Sequence, residues 1–437
     1  MLENLLHSDH SALWKSLATV IPEYAKSSGL VQRVSAKFSP AAFLLTLLSA
    51  TTTGKASLNA LAISLCGKAG SAPLTPQSVH GRINRSETGL EAFLILCLAH
   101  ICRSKWSLAA GRRGAVCSLA GLFGRVIVED SSFLPFHKSN AGNFPAHGNS
   151  KGKTSGCKVN LAFDLLTGSI ISNELVSGTQ QDKASGWDVL ALTRPNDLIL
   201  RDMGYFSVEG FAAIAVKGAF WLSRLPLNVG ATSMDGKTIE TLLEKHRGDR
   251  LDIRVELTAA KHPARLVAIR ASGEETEKRR REINRDAKAK GRTAESRTLL
   301  LAGWHILVTN IPAEKVSAEG LAAIYSQRWQ IEIVFRGWKQ ATGLDKALGR
   351  KSSPQHLKGL VLAGMIVLAM GVRIAICLAR IRGGRYSLEK ICQHLADRLA
   401  GIRELTELSS LQPDLRHVQT QKRRRKSLAL RYFECLG

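Results

Sequence analysis

No CxxC pair occurs in this 437-residue chain, although it carries eight cysteines. Scattered cysteines imply neither a structural zinc nor a disulfide framework, and they fit a reduced cytoplasm. Cys66, Cys97, Cys102, Cys117, Cys377 and Cys392 fall in apolar or helical contexts and read as small core residues. Long apolar runs are missing too. The longest, "GLVLAGMIVLAMGV" from Gly359 to Val372, has 14 residues between Lys358 and Arg373. A bilayer span takes about 20, so this run reads as a buried helix and no membrane role is expected. The opening "MLENLLHSDHSALWKS" has no basic segment leading into an apolar one, so no secretory signal is expected. There is no internal repeat and no long low-complexity segment. Acids are scarce as well: 36 Asp and Glu stand against 61 Lys and Arg, giving +25 and a pI near 10.

That imbalance, on a chain that is 45% hydrophobic and so globular, points to a polyanionic partner, with nucleic acid foremost. The length allows two or three domains and a substantial core. Residues 1–120 read as helices. "SPAAFLLTLLSA" has Ser39 as N-cap and Pro40 at the first helical position, and "LTPQSVHGRINRSETG" has Thr75 and Pro76 in the same roles. The second helix carries Gln77, Ser78, His80, Arg82, Asn84 and Arg85, which suits either a DNA groove or the exposed start of a bundle helix.

From residue 121 the pattern changes to three strands, a helix near Lys183 to Thr193, a strand, a helix and a strand. Consecutive strands favour antiparallel pairing and helix-spaced ones parallel addition, so a mixed α/β (α+β) sheet flanked by helices is expected over 121–225. Residues 226–310 form a β-rich insertion, "LDIRVELT", "ARLVAIRAS" and "GWHILVTNIP". It is interrupted by the charged helix "EETEKRRREINRDAKAKGR", either a solvated face or a phosphate-contacting one. Residues 311–395 return to helices. The tail 396–437 carries five consecutive bases, Lys422 to Lys426, as an electrostatic anchor or part of a DNA-binding surface.

One helix, "YSQRWQIEIVFRGWKQ", mixes a lone acid with bases and aromatics. On a uniform wheel Tyr325, Arg328, Glu332 and Lys339 fall within an arc of about 60°, on a stripe about 21 Å long. Ile331, Val334, Phe335 and Trp338 occupy the neighbouring arc. Arg328 and Glu332, four apart, would also make an ordinary surface ion pair. Two strands end in acids, Asp130 after "RVIVE" and Asp202 after "DLILR". Three carboxylates on a sheet and a flanking helix can hold two hard cations, although Glu129, Asp164 and Asp182 compete as candidates and strand-end acids often only form turns.

The spacing Tyr325-x2-Arg328-x3-Glu332-x6-Lys339 resembles the Y-R-E-K signature of DDE transposases of the insertion sequence four family. "VIVEDSSFLP" and "LILRDMGYFS" resemble the segments carrying that family's two aspartates, and "CKVNLAFDLLTG" the strands between them. Arg201 departs from the pattern, standing before Asp202 where a small or apolar residue is usual; outward alternation from Asp202 would accommodate it. The resemblance, over roughly Val126 to Ala379, implies a ribonuclease-H-like catalytic fold split by the β-rich insertion, with an N-terminal helical DNA-binding region. It implies Asp130, Asp202 and Glu332 as catalytic ligands of two Mg²⁺ ions, with Mn²⁺ as a substitute. Tyr325, Arg328 and Lys339 would contact phosphates. Water would cut at transposon-end inverted repeats, and the freed 3′-OH would attack target DNA. Partners would be double-stranded DNA, ends and target, and a second copy of the chain in a paired-end complex, in the bacterial cytoplasm at the nucleoid. Trp304, 21 residues before Tyr325, stands where relatives that cleave through a hairpin place an aromatic against a flipped base; its alternation with Ile306 and Val308 equally suits a core strand. A nuclease that cuts without joining and a non-catalytic repressor are the alternatives.

Overall fold

The computed structural model describes residues 2–33, 37–103, 115–149, 152–180, 188–258, 260–341, 343–382, 386–411 and 415–419. Six helices come first: α1 (Leu2–Ser27), α2 (Pro40–Thr53), α3 (Leu58–Cys66), α4 (Pro76–Ile83), α5 (Gly89–Arg103) and α6 (Ala115–Leu122). Their starts are set by the expected caps. The Ser39 hydroxyl accepts from the Ala42 amide and Thr75 from Ser78, each followed by proline at the first helical position.

The sheet begins with β1 (Val126–Pro135), β2 (Pro145–Asn149), β3 (Gly152–Asp164) and β4 (Ile170–Ser177). The turn from β3 to β4 is closed by the buried Asp164 carboxylate, which accepts from the amides of Val126 and Leu166 and from the Thr167 hydroxyl. Then come α7 (Asp188–Leu192), β5 (Leu198–Arg201), α8 (Val208–Val216) and β6 (Phe220–Arg224). β3 pairs antiparallel with β1 and β4, whereas β5 runs parallel to β1 and β6 parallel to β5. The order β4-β3-β1-β5-β6 with these directions is ribonuclease-H-like.

The insertion contributes β7 (Ala231–Ser233), α9 (Ile239–Lys245), β8 (Arg250–Leu257), β9 (His262–Arg270), α10 (Gly273–Ala289), α11 (Ser296–Leu301) and β10 (Trp304–Thr309). Its strands extend the same sheet: β10 pairs antiparallel with β6, and β9, β8 and β7 follow in that order. The chain closes with α12 (Ala318–Tyr325), α13 (Gln330–Arg336), α14 (Leu344–Leu348), α15 (Pro354–Arg382), α16 (Leu388–Leu399) and α17 (Leu415–Val418).

Strand alternation divides the core between the two sheet faces. Val126, Val128, Leu198, Leu200 and Leu222 join a cluster containing α2, α5, α12, α13, α15 and α16. Ile127, Ile199, Trp221 and Val308 join the opposite cluster with α8, α9 and α11. α15 is the rod of the first cluster, packed against α2, α5 and α16. Its stretch Pro354–Ala379, 26 residues, is long and apolar enough to cross a membrane by length and composition, but 83% of its apolar 18-residue window is buried inside the fold. The expected buried helix is therefore present and longer than the 14-residue run suggested, because its small and sulfur-bearing residues continue the apolar surface. The N-terminal helices share this core with the sheet. Cys66 is a correction: it is exposed at the end of α3, where one turn more than the apolar face reaches solvent.

Helix contacts at α15 depend on glycines. A Cβ on Gly371 would meet the Cys392 sulfur of α16 at 2.7 Å. Gly371→Val is expected to cost about 1–3 kcal/mol by overpacking. A lowered urea midpoint at unchanged slope checks it; an unchanged midpoint would mean that α16 shifts freely.

Candidate active site

Two of the acids singled out in the sequence, Asp130 and Asp202, fall on adjacent strands, and Arg328 links the third, Glu332, to Asp130. β1 and β5 pair as Val126↔Leu198, Ile127↔Ile199 and Val128↔Leu200. Two residues further along, this register sets Asp130 beside Asp202. Both share strand parity with Val128 and Leu200, so both face the side of the sheet on which α12 and α13 pack. β1 does not end at the acid, as the sequence suggested. It runs on to Pro135 because its antiparallel ladder with β3 continues, Asp130 itself pairing with Leu161. β5 does end at Arg201, and the chain turns away through Met203–Tyr205. Asp130 thus lies where a parallel neighbour leaves a long strand.

The preceding residues face the other way and form a contact that the sequence reading missed. The Arg201 Nε donates to Glu129 Oε2 at 2.5 Å and its Nη2 to Oε1 at 3.4 Å. Arg201 is 2% and Glu129 3% exposed, so this is a buried ion pair, in the register row between Val128↔Leu200 and the two aspartates. Gly210 of α8 leaves room for it: a Cβ there would lie 2.8 Å from the Arg201 guanidinium. The pairing removes Glu129 from the list of candidate site acids. The turn bonds above remove Asp164, and Asp182 lies outside the described residues.

The signature helix is not uniform. α12 passes into a 3₁₀ turn, Ser326–Trp329, then α13, then a π turn, Gly337–Ala341. The expected single wheel is therefore wrong in detail. The tight turn over-rotates and the wide one under-rotates the chain, and Leu388 and Cys392 of α16 pack beside Gly337 at the wide turn. Ile331, Val334, Phe335 and Trp338 are buried as expected. The polar residues reach separate partners. The Tyr325 hydroxyl lies 3.4 Å from the Arg201 carbonyl and 3.5 Å from Asp202 Oδ1. Arg328 bridges two acids, Nη1 to Asp130 Oδ2 at 3.4 Å and Nη2 to Glu332 Oε1 at 3.2 Å. Lys339 donates to the Phe133 carbonyl at 2.5 Å, further along β1.

Burial first, then the nearby Asp202 and Glu332 charges, push Asp130 up to about 6, against the pull of the Ser131 amide and Arg328. Burial lowers the Arg328 guanidinium, but Asp202, Tyr325, Asp130 and Glu332 outweigh it and the net shift is upward. Burial, then Asp202, raises the Tyr325 hydroxyl. Burial lowers Lys339. Negative charge is thus crowded here, with one guanidinium serving as counter-charge. Among the described residues no three acids or imidazoles close into a single ligand cluster. The donor set is nonetheless all carboxylate oxygen, the class hard divalent cations take, and Arg328 stands in for positive charge between Asp130 and Glu332.

Trp304 lies elsewhere. Its parity with Ile306 and Val308 puts it in the cluster on the Glu129–Arg201 face, 4% exposed, with the Arg270 guanidinium 4.2 Å above its ring. That is the core-strand alternative. On α4, Gln77, Ser78 and His80 are exposed, as is Arg85 just past its end, while Arg82 covers the Phe38 ring at 3.9 Å. The run Lys422 to Lys426 lies outside the described residues.

A parallel pair of strands carrying aspartates thus stands on a ribonuclease-H-like sheet, with a glutamate-bearing helix packed on the same face. Residues 121–368 match the family model of the transposase DDE domain, and the chain belongs to that family. It is 27% identical over 315 residues to the transposase for insertion sequence element IS231F of Bacillus thuringiensis subsp. israelensis, covering 66% of this chain and 64% of that protein. To the IS231C transposase of Bacillus thuringiensis subsp. berliner it is 30% identical over 264 residues, 55% of each chain. The chain thus spans less than two thirds of the length of these relatives. Among solved structures, a piggyBac transposase synaptic complex with hairpin DNA is similar with a TM-score of 0.46 at 12% identity, over 92% of this chain and 85% of that one.

The geometry yields two predictions. Breaking the buried pair singly, with Arg201→Met or Glu129→Gln, is expected to cost about 3–5 kcal/mol, whereas Glu129→Leu with Arg201→Met recovers most of it. Chemical denaturation of the three variants tests this, and equal losses in single and double variants would refute it. The second concerns pH. The folded pKa of Asp130 lies above its ordinary 3.8, so its contribution is intact below about pH 4 and is lost as pH rises through about 6. Metal-free Asp130→Asn is therefore expected to be more stable than wild type at pH 8, by up to about 3 kcal/mol at 1.36 kcal/mol per unit, with the gap closing towards pH 4. Melting curves across that range decide it; a gap independent of pH would refute the assignment.

Proposed function

We propose that the protein is a DNA transposase that cuts at the inverted repeats of a transposon end and joins the freed 3′-OH to target DNA. The observation that carries this reading is the linkage of Asp130 and Glu332 through Arg328, with Tyr325 on Asp202. Residues up to 202 apart in sequence, three acids and two members of the signature, meet at one sheet edge.

In this reading Asp130, Asp202 and Glu332 hold two Mg²⁺ ions. The chemistry supplied at such a site is activation of the attacking oxygen and stabilisation of the leaving one in phosphodiester displacement. The protein's own part is orientation. Arg328 presents a planar fork that exchanges carboxylate oxygens for phosphate oxygens without moving its stem. The Tyr325 hydroxyl, kept protonated by burial and by Asp202, remains a donor at any working pH. Lys339 adds a point charge beyond the acids along β1. Two DNA ends call for two copies of the chain, so the working form is a dimer on paired ends, in the cytoplasm.

The test uses purified protein, Mg²⁺ and a duplex carrying the inverted repeats that flank the coding sequence. Nicks at the repeat tips are expected with wild type, and none with Glu332→Gln, which should still bind the duplex. Binding without cleavage by wild type in Mg²⁺ or Mn²⁺ would mean a repressor. Cleavage without joined products would mean a nuclease, and cleavage by Glu332→Gln would show that the wrong acid was chosen.

A further inference from the structure

The insertion helix α10 and the residues just after it carry eight bases and five acids over residues 274–292. The structure sorts them. Arg279 turns inward, pairing with Glu275 at 2.6 Å and donating to the Ala302 and Trp304 carbonyls. Arg280 turns inward to the Leu299 carbonyl and pairs with Glu277. Two acids are thus paired, Glu275 half-exposed and Glu277 largely exposed. Outward on the helix remain Lys278, Arg281, Arg285 and Lys288, all exposed, while Lys290 and Arg292, also exposed, follow its last residue. Among the described residues Lys278, Arg281 and Lys288 form no ion pair, and Arg285 meets only Asp286, at 3.6 Å on a fully wetted surface. At about 100° per residue these four cations fall within an arc of about 80°, along about 15 Å of helix axis. Of the outward acids, Glu282 and Asp286 fall about 40–80° past Lys278, beyond the edge of the stripe, and only Glu274 shares its arc.

The sheet register places the start of α10 relative to the carboxylates. Val128, Leu200, Leu222, Thr309 and Arg265 form one row across β1, β5, β6, β10 and β9. β9 runs parallel to β1, so it leaves the sheet at the edge where Asp130 and Asp202 stand, four strands along. At about 4.8 Å per strand that is about 19 Å. α10 begins three residues after β9 ends, and Arg279 fastens it to the start of β10 at that same edge.

We propose that the stripe Lys278-Arg281-Arg285-Lys288 is a second phosphate-binding surface, which holds the backbone of the duplex whose end lies at the carboxylates. The separation corresponds to on the order of six base pairs at 3.4 Å per pair. Charge complementarity selects the occupant: a row of exposed cations, three of them outside any ion pair, with one acid at its N-terminal end and no aromatic among them matches a regular polyanion, and it offers nothing to read bases. The contact therefore adds affinity without sequence preference. It rests on the transposase reading only in that the duplex also visits the acids.

The experiment measures binding of a 40-base-pair duplex to the full-length protein as a function of salt. It compares wild type, the quadruple variant Lys278→Gln, Arg281→Gln, Arg285→Gln and Lys288→Gln, and Glu332→Gln. Each phosphate contact contributes a slope of about −0.9 in log K against log salt, so the quadruple variant is expected to lose about 2–4 in slope at an unchanged melting temperature. Replacing Lys278 and Lys288 by arginine should keep the slope. An unchanged slope in the quadruple variant overturns the proposal, even if cleavage by wild type and its loss in Glu332→Gln uphold the transposase reading. A stripe that binds polyglutamate in preference to duplex would also overturn it, in favour of an acidic protein partner. Salt-independent binding by wild type would sink both.

Discussion

The Glu129–Arg201 ion pair is the constraint on which the site depends. It lies one residue behind Asp130 and Asp202, on the opposite face of the same two strands. Removing two charges from water costs several kcal/mol each, and a bidentate pair in the interior offsets that only with good geometry. What the pair contributes is register. A slip of one residue between β1 and β5 would separate the charges and bury each alone, on top of turning every apolar residue to the wrong face. The aspartates, which repel one another, are therefore held adjacent by an attraction that acts through the backbone and leaves their own oxygens to Ser131, Arg328 and Tyr325.

The division of labour between the two sheet faces follows from this. The face with Glu129 and Arg201 is closed by α8 and its glycine. The face with the aspartates receives α12 and α13, whose apolar side chains enter the core built around α15. Glu332 is carried there by packing rather than by any bond to the strands. The 3₁₀ and π turns on either side of it absorb the mismatch between a helix seated on α16 and side chains that must reach three separate strand positions. Lys339, beyond the π turn, lands on the Phe133 carbonyl, three residues past Asp130.

Much of the architecture was legible in the sequence because it is local. The caps at Ser39 and Thr75 and the strands of the insertion follow from neighbours a few residues apart. The site acids were legible only through a resemblance, since spacings of 72 and 130 residues carry no physical signal of their own. What stayed hidden is non-local. Arg201 read as an anomaly before Asp202, and its partner was counted among rival acids; only the pairing of two strands turns two oddities into one contact. The continuation of the sheet into β10, β9, β8 and β7 was equally invisible, because an insertion rich in strands reads the same whether it pairs with the old sheet or with itself. Trp304 shows the reverse limit: its alternation with Ile306 and Val308 was visible, but the face it belongs to was set by β6 and β9.

Net charge and local charge point in opposite directions in this molecule, and the difference bears on function. A chain of +25 attracts a polyanion over long range. Yet the point where three carboxylates gather is locally negative, and at physiological salt the rest of the protein is screened beyond about 8 Å. A phosphate therefore cannot approach Asp130 and Asp202 on the strength of the overall charge. Either the carboxylates are partly protonated, which the upward shift of Asp130 to about 6 favours only in mildly acid solution, or positive charge is brought to within contact distance. Arg328 supplies one such charge, and it is already shared between two acids. The deficit that remains is the electrostatic argument for divalent cations at this site.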